Sequence, residues 1–357
     1  MRTLLIGPRD PLIVRDGKPI GGDASIETLP FPFPSTTAGA VRTRMASPNG
    51  EFLFVGNNAA CEALRKVPVH GPILAEVDVE HEDEPLQYLF AAPRDATVFP
   101  KERDENNRVT HVEVQALVPG GVAEKEQMDS LVEAGLRRIV SAKENTEKPF
   151  EKAPIFWTQQ EFLHWLETGR ASREVLKLDE LGVEGLPTET RVHVVIQPGE
   201  RVAVDGGLFQ TKGLRFAQGR FGKTRHFALS IRTEPGTIAG HVLDVRDELA
   251  PIGGERRLAR WRTSKQDWPR LPEKIRQSVL THKKARVVLL TPAMFCRGAL
   301  PDMAGDLWAL GDGGRAKIAG ACVGRPVVVS GWDMTRGARG EKPTRRLAPA
   351  GSVYFVD

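Results

Sequence analysis

Apolar positions in this chain come mostly in short runs closed by glycine and proline. Residues 2 to 6, "RTLLI", run into "GPRDP", the pattern of a strand entering a turn. "PLIVRDGKPIGG" follows, and its Asp16-Gly17 pair is a hairpin signal. Residues 35 to 46 predict a helix. Residues 73 to 81, "ILAEVDVEH", and 110 to 118, "THVEVQALV", alternate as half-buried strands do. Residues 119 to 155 read as linker and short helix. Two helices are expected at Thr158 to Glu167, with Thr158 and Glu161 as a capping box, and at Ser172 to Leu181, closed by Gly182.

From Arg191 onward the texture is mostly strand: "RVHVVI", "GLFQTKGLRF", "FALSIRT", "GHVLDV", a buried "RVVLL", then "AKIAGACV", "PVVVSGW" and "SVYFV". Strands mixed with a few helices, without strict βαβ alternation, predict an α+β fold. "EGLPTE", at 184 to 189, suggests a boundary that splits the chain into 1–188 and 189–357. Two α+β halves would suit a pair of ferredoxin-like units.

Apolar residues make up 40% of the 357, enough for a real core. The formal charge is only +4, but it is unevenly spread. Residues 76 to 84, "EVDVEHEDE", hold six acids and no Lys or Arg, while residues 255 to 286 hold eleven Lys/Arg against three acids. A basic second half suits a polyanion, with the acidic patch expected to face elsewhere. The three cysteines, Cys61, Cys296 and Cys322, are scattered and form no CxxC, which argues against a disulfide framework or zinc site and reads as cytoplasmic. No stretch approaches ~18 uninterrupted apolar residues, so no membrane span is expected.

Catalytic motifs are weak. The histidines show no HxH or HExxH spacing. His164, His111 and His193 read as packed or boundary residues, and only His226, beside "GRFGKTRH", is placed to meet a polyanion. "GRFGKT" has too few residues between its glycines for a phosphate loop, and a strand follows it rather than a helix. No metal, cofactor or catalytic residue is therefore assigned.

Three constellations point to nucleic acid. "IGGERRLARWR" sets Gly253 and Gly254 before Arg256 and Arg257, with Trp261 as an aromatic for base stacking. "GWDMTRGARGEKPTRRLAPAGSVYF" is a glycine- and arginine-rich loop able to form anion nests. In "FPFPSTTAGAVRTRM", Ser35 is expected as N-cap, and Thr36, Thr37 and the free N–H groups suit a phosphate. Gly39 leaves a thin surface where another backbone could pass, and Arg42 adds charge nearby.

"GPRDPLIVRDGKPIGG" followed by "FPFPSTTAGAVRT", with "IGGERR" and "SGWDM…KPTRRLAPAGSVYF", resembles the signatures of the third Cmr subunit of type III-B CRISPR effector complexes, a family of the RAMP superfamily. The resemblance runs from residue 6 to 355, although residues 76 to 185 contribute little to it. It implies two ferredoxin-like (RRM-like) domains with insertions and glycine-rich loops. It also implies a non-catalytic subunit that binds the 5′ tag of crRNA, docks on the large Palm-domain subunit and meets a backbone RAMP subunit. Carried onto this sequence, it places Ser35, Thr36 and Arg42 at a phosphate. Lys342, Arg345, Arg346, Gly351 and Ser352 fall in the loop gripping the tag, with Arg256, Arg257 and Arg15 facing RNA or a partner. Thr37 departs from the apolar residue expected there. Two other readings stay open: a metal-independent endoribonuclease that matures precursor crRNA through His226, and a scaffold that bridges protein subunits.

Overall fold

The computed structural model describes residues 1–15, 25–120, 135–220, 223–253, 255–296, 298–304, 307–309, 314–332 and 340–357. Strands outweigh helices and pair antiparallel almost throughout, so the fold is α+β. The expected hairpin turn at Asp16-Gly17 lies outside the described residues.

The chain forms two compact units. The first takes Met1–Tyr88, Leu186–Trp268 and Ser330–Pro343; the second takes Leu89–Gly185, Pro269–Val329 and Thr344–Asp357. One crossing, Gly185/Leu186, falls in the expected "EGLPTE" boundary. Contiguous halves 1–188 and 189–357 describe the order of the chain, but in space each unit draws on both. The reason is strand pairing: Arg2–Pro8 bonds to Lys223–Thr233 and Arg257–Thr263, which are remote in sequence.

The first unit is built on a sheet in the order Val69–Val77, Lys223–Thr233, Arg2–Pro8, Arg257–Thr263, Glu248–Ile252, with every neighbour antiparallel. Register aligns Leu74, Leu229, Ile6 and Trp261 in one row across four strands, and all four are fully buried. Each such side chain contributes roughly 1.5–3 kcal/mol by leaving water. The helix Pro34–Met45 packs against Val69–Val77 and buries Val41 and Met45. The Val69–Val77 strand buries Ile73, Leu74 and Ala75 in succession, so it is covered on both faces rather than half-buried, and it ends at Val77. A long hairpin, Thr188–Ile196 with Ala203–Leu214, completes the unit.

In the second unit, Ala96–Arg103 pairs with Val109–Pro119, and Val353–Val356 lies between Ala285–Val288 and Arg315–Cys322. Tyr354, Ile318 and Val356 centre its apolar cluster. The Ala285–Val288 strand, expected to be buried, is only half-buried along its length. Thr158 caps the helix Gln159–Thr168 by accepting from Glu161 N at 3.4 Å. The Glu161 carboxylate does not complete a capping box; it accepts from Ser172 N (3.2 Å) and Ser172 Oγ (2.5 Å). That capture, and the pairing of Leu176 with Val112, replaces the expected 172–181 helix by a short strand, Leu176–Lys177, and one turn, Leu178–Leu181.

Asp95 is the electrostatic centre of this unit. It is fully buried, pairs with Arg286 Nε at 2.6 Å and accepts from Trp165 Nε1 at 3.0 Å. Arg286 also donates to Trp165 O at 2.7 Å and lies over the rings of Trp165 and Phe355. Burial pushes the Asp95 carboxyl above its ordinary range, while Arg286 and Trp165 pull the other way. Asp95→Ala leaves Arg286 buried without a counter-charge. It is expected to cost about 3–5 kcal/mol, read as a lowered urea midpoint.

A second polar cluster titrates lower. Glu113 pairs with Lys101 (2.9 Å) and Lys143 (3.2 Å), and accepts from Gln115 (2.9 Å). Chiefly through Lys101, its carboxyl is held at about 2 against an ordinary 4.5. The folded value lies below the unfolded one, so its stabilisation is full above pH 4.5 and is lost as pH falls towards 2. Glu113→Gln is expected to lower stability at neutral pH and to flatten the acid limb of a denaturation-versus-pH series below pH 4.5.

Candidate nucleic-acid interface

The helix Pro34–Met45 begins differently from the sequence expectation. Phe33, extended at ψ 154°, is the N-cap and makes no side-chain cap bond; Pro34 occupies the first helical turn. Proline presets the helical φ and forces the residue before it out of the helix, so Ser35 lies inside the first turn and is not the cap. Ser35 is exposed and Thr36 half-buried, with Thr36 N bonded to Phe33 O at 3.0 Å. Thr37 is buried and donates to Pro34 O at 3.1 Å, so the departure from an apolar residue is absorbed locally. Gly39 faces open space. Arg42 sits two turns from the helix start, about 10 Å along the axis. Its Nε and Nη2 both donate to Val67 O (3.1 and 2.8 Å), and burial lowers its pKa. Ser35 and Thr36 thus share one exposed helix start, while Arg42 closes the end of the helix Asn58–Lys66.

The 9–15 segment ties this region to the glycine turn of "IGGERR". Leu12 exchanges backbone bonds with Leu214 (2.9 and 2.8 Å), and Val14 accepts from Leu29 N at 2.7 Å. An ideal Cβ on Gly253 would lie 3.9 Å from Ile13 O. Gly253 has φ +73° and Arg256 φ +50°, with Arg256 N bonded to Gly253 O at 3.1 Å, so a tight turn projects Arg256 into solvent. Gly254 lies outside the described residues. Arg15 and Arg256 are exposed with no acid partner among the described residues. Arg257 is half-buried, and its Nε has no hydrogen-bond partner among the described residues. Trp261 is not a stacking platform: it is fully buried and donates to Ala250 O at 3.2 Å. Alternation along the strand turns Arg260 and Arg262 to the opposite face.

Apart from His226, that face holds residues the sequence reading did not single out. Gly7, Arg9, Glu82, His226, Arg260 and Arg262 line a small pocket. Glu82 bridges Arg9 Nη2 (2.5 Å) and Arg260 Nε (3.3 Å). Lys265 pairs with Asp83 and Glu84 at 3.1 Å each and holds Asp83 below its ordinary range. Arg225 grips Glu76 through Nε (2.8 Å) and Nη2 (2.6 Å). The acidic stretch therefore does not face away from the basic residues. The strand ends at Val77, and the acids beyond it fold back onto arginines of the same unit. The signal for Arg260 and Arg262 was period-2 alternation around Trp261.

At the C-terminal end, Lys342, Arg345 and Arg346 lie exposed on the Glu341–Leu347 strand with no acid partner among the described residues. Residues 333–339, with Arg336 and Arg339, lie outside them. Gly351 and Ser352 are buried and shape the loop. Gly351, at φ +81°, donates to Leu289 O (2.7 Å) and accepts from Arg94 N (2.8 Å), and a Cβ there would meet Ala92 O at 2.2 Å. Ser352 Oγ donates to Pro349 O at 2.7 Å.

Among the described residues, no group of three or more His, Cys, Asp and Glu could hold a metal, and no helix is long and apolar enough to cross a membrane. The model of the CRISPR-associated protein family Cas_Cmr3 matches residues 4–357. The chain belongs to the Cas_Cmr3 family. Two solved chains are similar to this Cas_Cmr3 protein, both from cryo-EM structures of a type III-B Cmr-beta. One, bound to cognate target RNA and AMPPnP, shows 15% identity and a TM-score of 0.48, covering 99% of this chain and 86% of its own. The other, bound to cognate target RNA, shows 16% identity and a TM-score of 0.45 with the same coverages. No curated protein matches.

Gly351→Ala in this Cas_Cmr3 chain combines a left-handed φ with a backbone clash. It is expected to cost about 1–3 kcal/mol, measured as a lowered thermal midpoint.

Proposed function

We propose that this Cas_Cmr3 protein is a non-catalytic RNA-binding subunit of a type III-B Cmr effector, holding the 5′ tag of crRNA and docking on the large Palm-domain subunit beside a backbone RAMP subunit. Family membership supports its place among Cmr subunits. The observation that carries the RNA reading is the set of cations left without acids: Arg15, Arg256, Lys342, Arg345 and Arg346 are all exposed and have no acid partner among the described residues. Guanidinium groups not already neutralised suit a phosphodiester chain. The helix start adds the hydroxyls of Ser35 and Thr36 and the Ser35 N–H as donors.

The strand order supports reading the first unit as ferredoxin-like. Numbered along the chain, Arg2–Pro8, Val69–Val77, Lys223–Thr233 and Arg257–Thr263 lie in the antiparallel order 4-1-3-2, with the Pro34–Met45 helix between the first and second. In place of a second helix, the segment between the third and fourth strands carries short strands. For the second unit the ferredoxin-like reading rests on the family resemblance.

Filter binding of tag-bearing RNA at fixed salt tests the proposal. Arg256→Ala with Arg257→Ala, and separately Arg345→Ala with Arg346→Ala, are expected to weaken binding roughly ten-fold and to reduce its salt slope. Unchanged affinity in both pairs contradicts it. The endoribonuclease reading has one supporting observation, His226 lining a pocket with Arg9, Arg260 and Arg262. Incubation with precursor crRNA is expected to give no specific cuts; cuts abolished by His226→Ala would replace the binding role with catalysis.

A further inference from the structure

The second unit carries an arginine that no sequence motif marked. Arg94 sits in the turn between the strands Pro85–Ala91 and Ala96–Arg103, with Ala96 N bonded to Pro93 O at 3.2 Å. Its backbone is fixed on both sides: Arg94 N donates to Gly351 O (2.8 Å), and the next residue, Asp95, is locked by Arg286 and Trp165. The Arg94 side chain lies across two glycines. An ideal Cβ on Gly324 would fall 2.4 Å from its Cζ, and one on Gly351 would fall 3.6 Å from its Cγ. Any side chain at 324 would displace the guanidinium.

Arg94 has no acid partner among the described residues. The one carboxylate beside it in sequence, Asp95, is already paired to Arg286. Arg94 is exposed, although neighbouring atoms still lower its pKa by partial desolvation. Arg325, next to Gly324, is exposed and also has no acid partner among the described residues. An exposed guanidinium set against Gly324, with no acid partner among the described residues, is arranged to receive an anion.

We propose that Arg94, cleared by Gly324 and Gly351, is an anion-binding residue that takes a phosphate group of the RNA backbone. The proposal rests on the RNA-binding reading and adds to it a residue and two positioning glycines. Gly351 then serves the ligand through Arg94 and not by direct contact. Other sources of the same chemistry are free phosphate and nucleotides.

The test is filter binding of tag-bearing RNA to the full-length protein across a salt series, with wild type, Arg94→Ala, Gly324→Ala and the Arg256→Ala/Arg257→Ala pair. Arg94→Ala is expected to weaken binding about ten-fold and to lower the salt slope by about 0.7, the value for one phosphate on a single strand. Gly324→Ala keeps the charge and meets only the movable end of a side chain, so its thermal midpoint should match wild type while its affinity falls with that of Arg94→Ala. Orthophosphate at equal phosphate concentration should leave RNA bound. Wild-type affinity in Arg94→Ala and Gly324→Ala, alongside weakened binding in the Arg256/Arg257 pair, overturns the assignment and leaves RNA binding standing. Failure of the wild type to retain RNA at low salt overturns both. Displacement of RNA by orthophosphate in wild type but not in Arg94→Ala assigns the residue to a free anion, which also overturns the proposal.

Discussion

Residues 76 to 84 carry acids that draw in cations from distant parts of the first unit: Arg225 on Glu76, Arg9 and Arg260 on Glu82, Lys265 on Asp83 and Glu84. Singly, exposed pairs of this kind add at most about 1 kcal/mol. The bidentate Glu76–Arg225 contact, with both side chains mostly buried, is the stronger member. The larger consequence is one of charge. A basic cluster that looks uniformly available in the sequence is divided into neutralised and free cations. Arg15, Arg256 and Arg262 stay free of acids at hydrogen-bonding distance among the described residues, and the first unit offers its field there.

The second unit reaches the same end by a different route. Its buried acid, Asp95, is matched by one arginine, Arg286, held between Trp165 and Phe355. That match fixes the turn in which Arg94 stands and leaves Arg94 without a counter-charge. The Gly351 loop, bonded to Leu289 and Arg94, holds the other side. Under the proposal for Arg94, stability and ligand contact are divided between adjacent residues, Asp95 for the first and Arg94 for the second.

Local signals in the sequence were legible where local chemistry decides the outcome. The Arg2–Pro8 strand, the Pro34–Met45 helix and the Thr158 cap all appear near their expected positions. Ser35 was misplaced as a cap because Pro34 takes the first helical position and hands the cap to Phe33. Trp261 was read as a stacking residue for its company of arginines, although period-2 alternation puts it on the opposite face from Arg260 and Arg262. Other features were illegible for a physical reason. The partners of the acidic stretch, and the interleaving of the two units, depend on strand pairs between residues far apart in sequence. Gly351 was placed in the loop expected to grip the tag. Among the described residues, the groups close to it are the backbone of Ala92 and the stem of Arg94.

The central claim is that RNA is held by the arginines left without acids. Ultraviolet crosslinking of the assembled effector on labelled guide RNA, read by mass spectrometry of this subunit, tests it most directly. The account predicts crosslinked peptides around Arg15, 252–258, Arg94 and 342–346, and none at the neutralised 76–84 stretch. Crosslinks confined to 76–84, or absent from every arginine-bearing peptide, would contradict it.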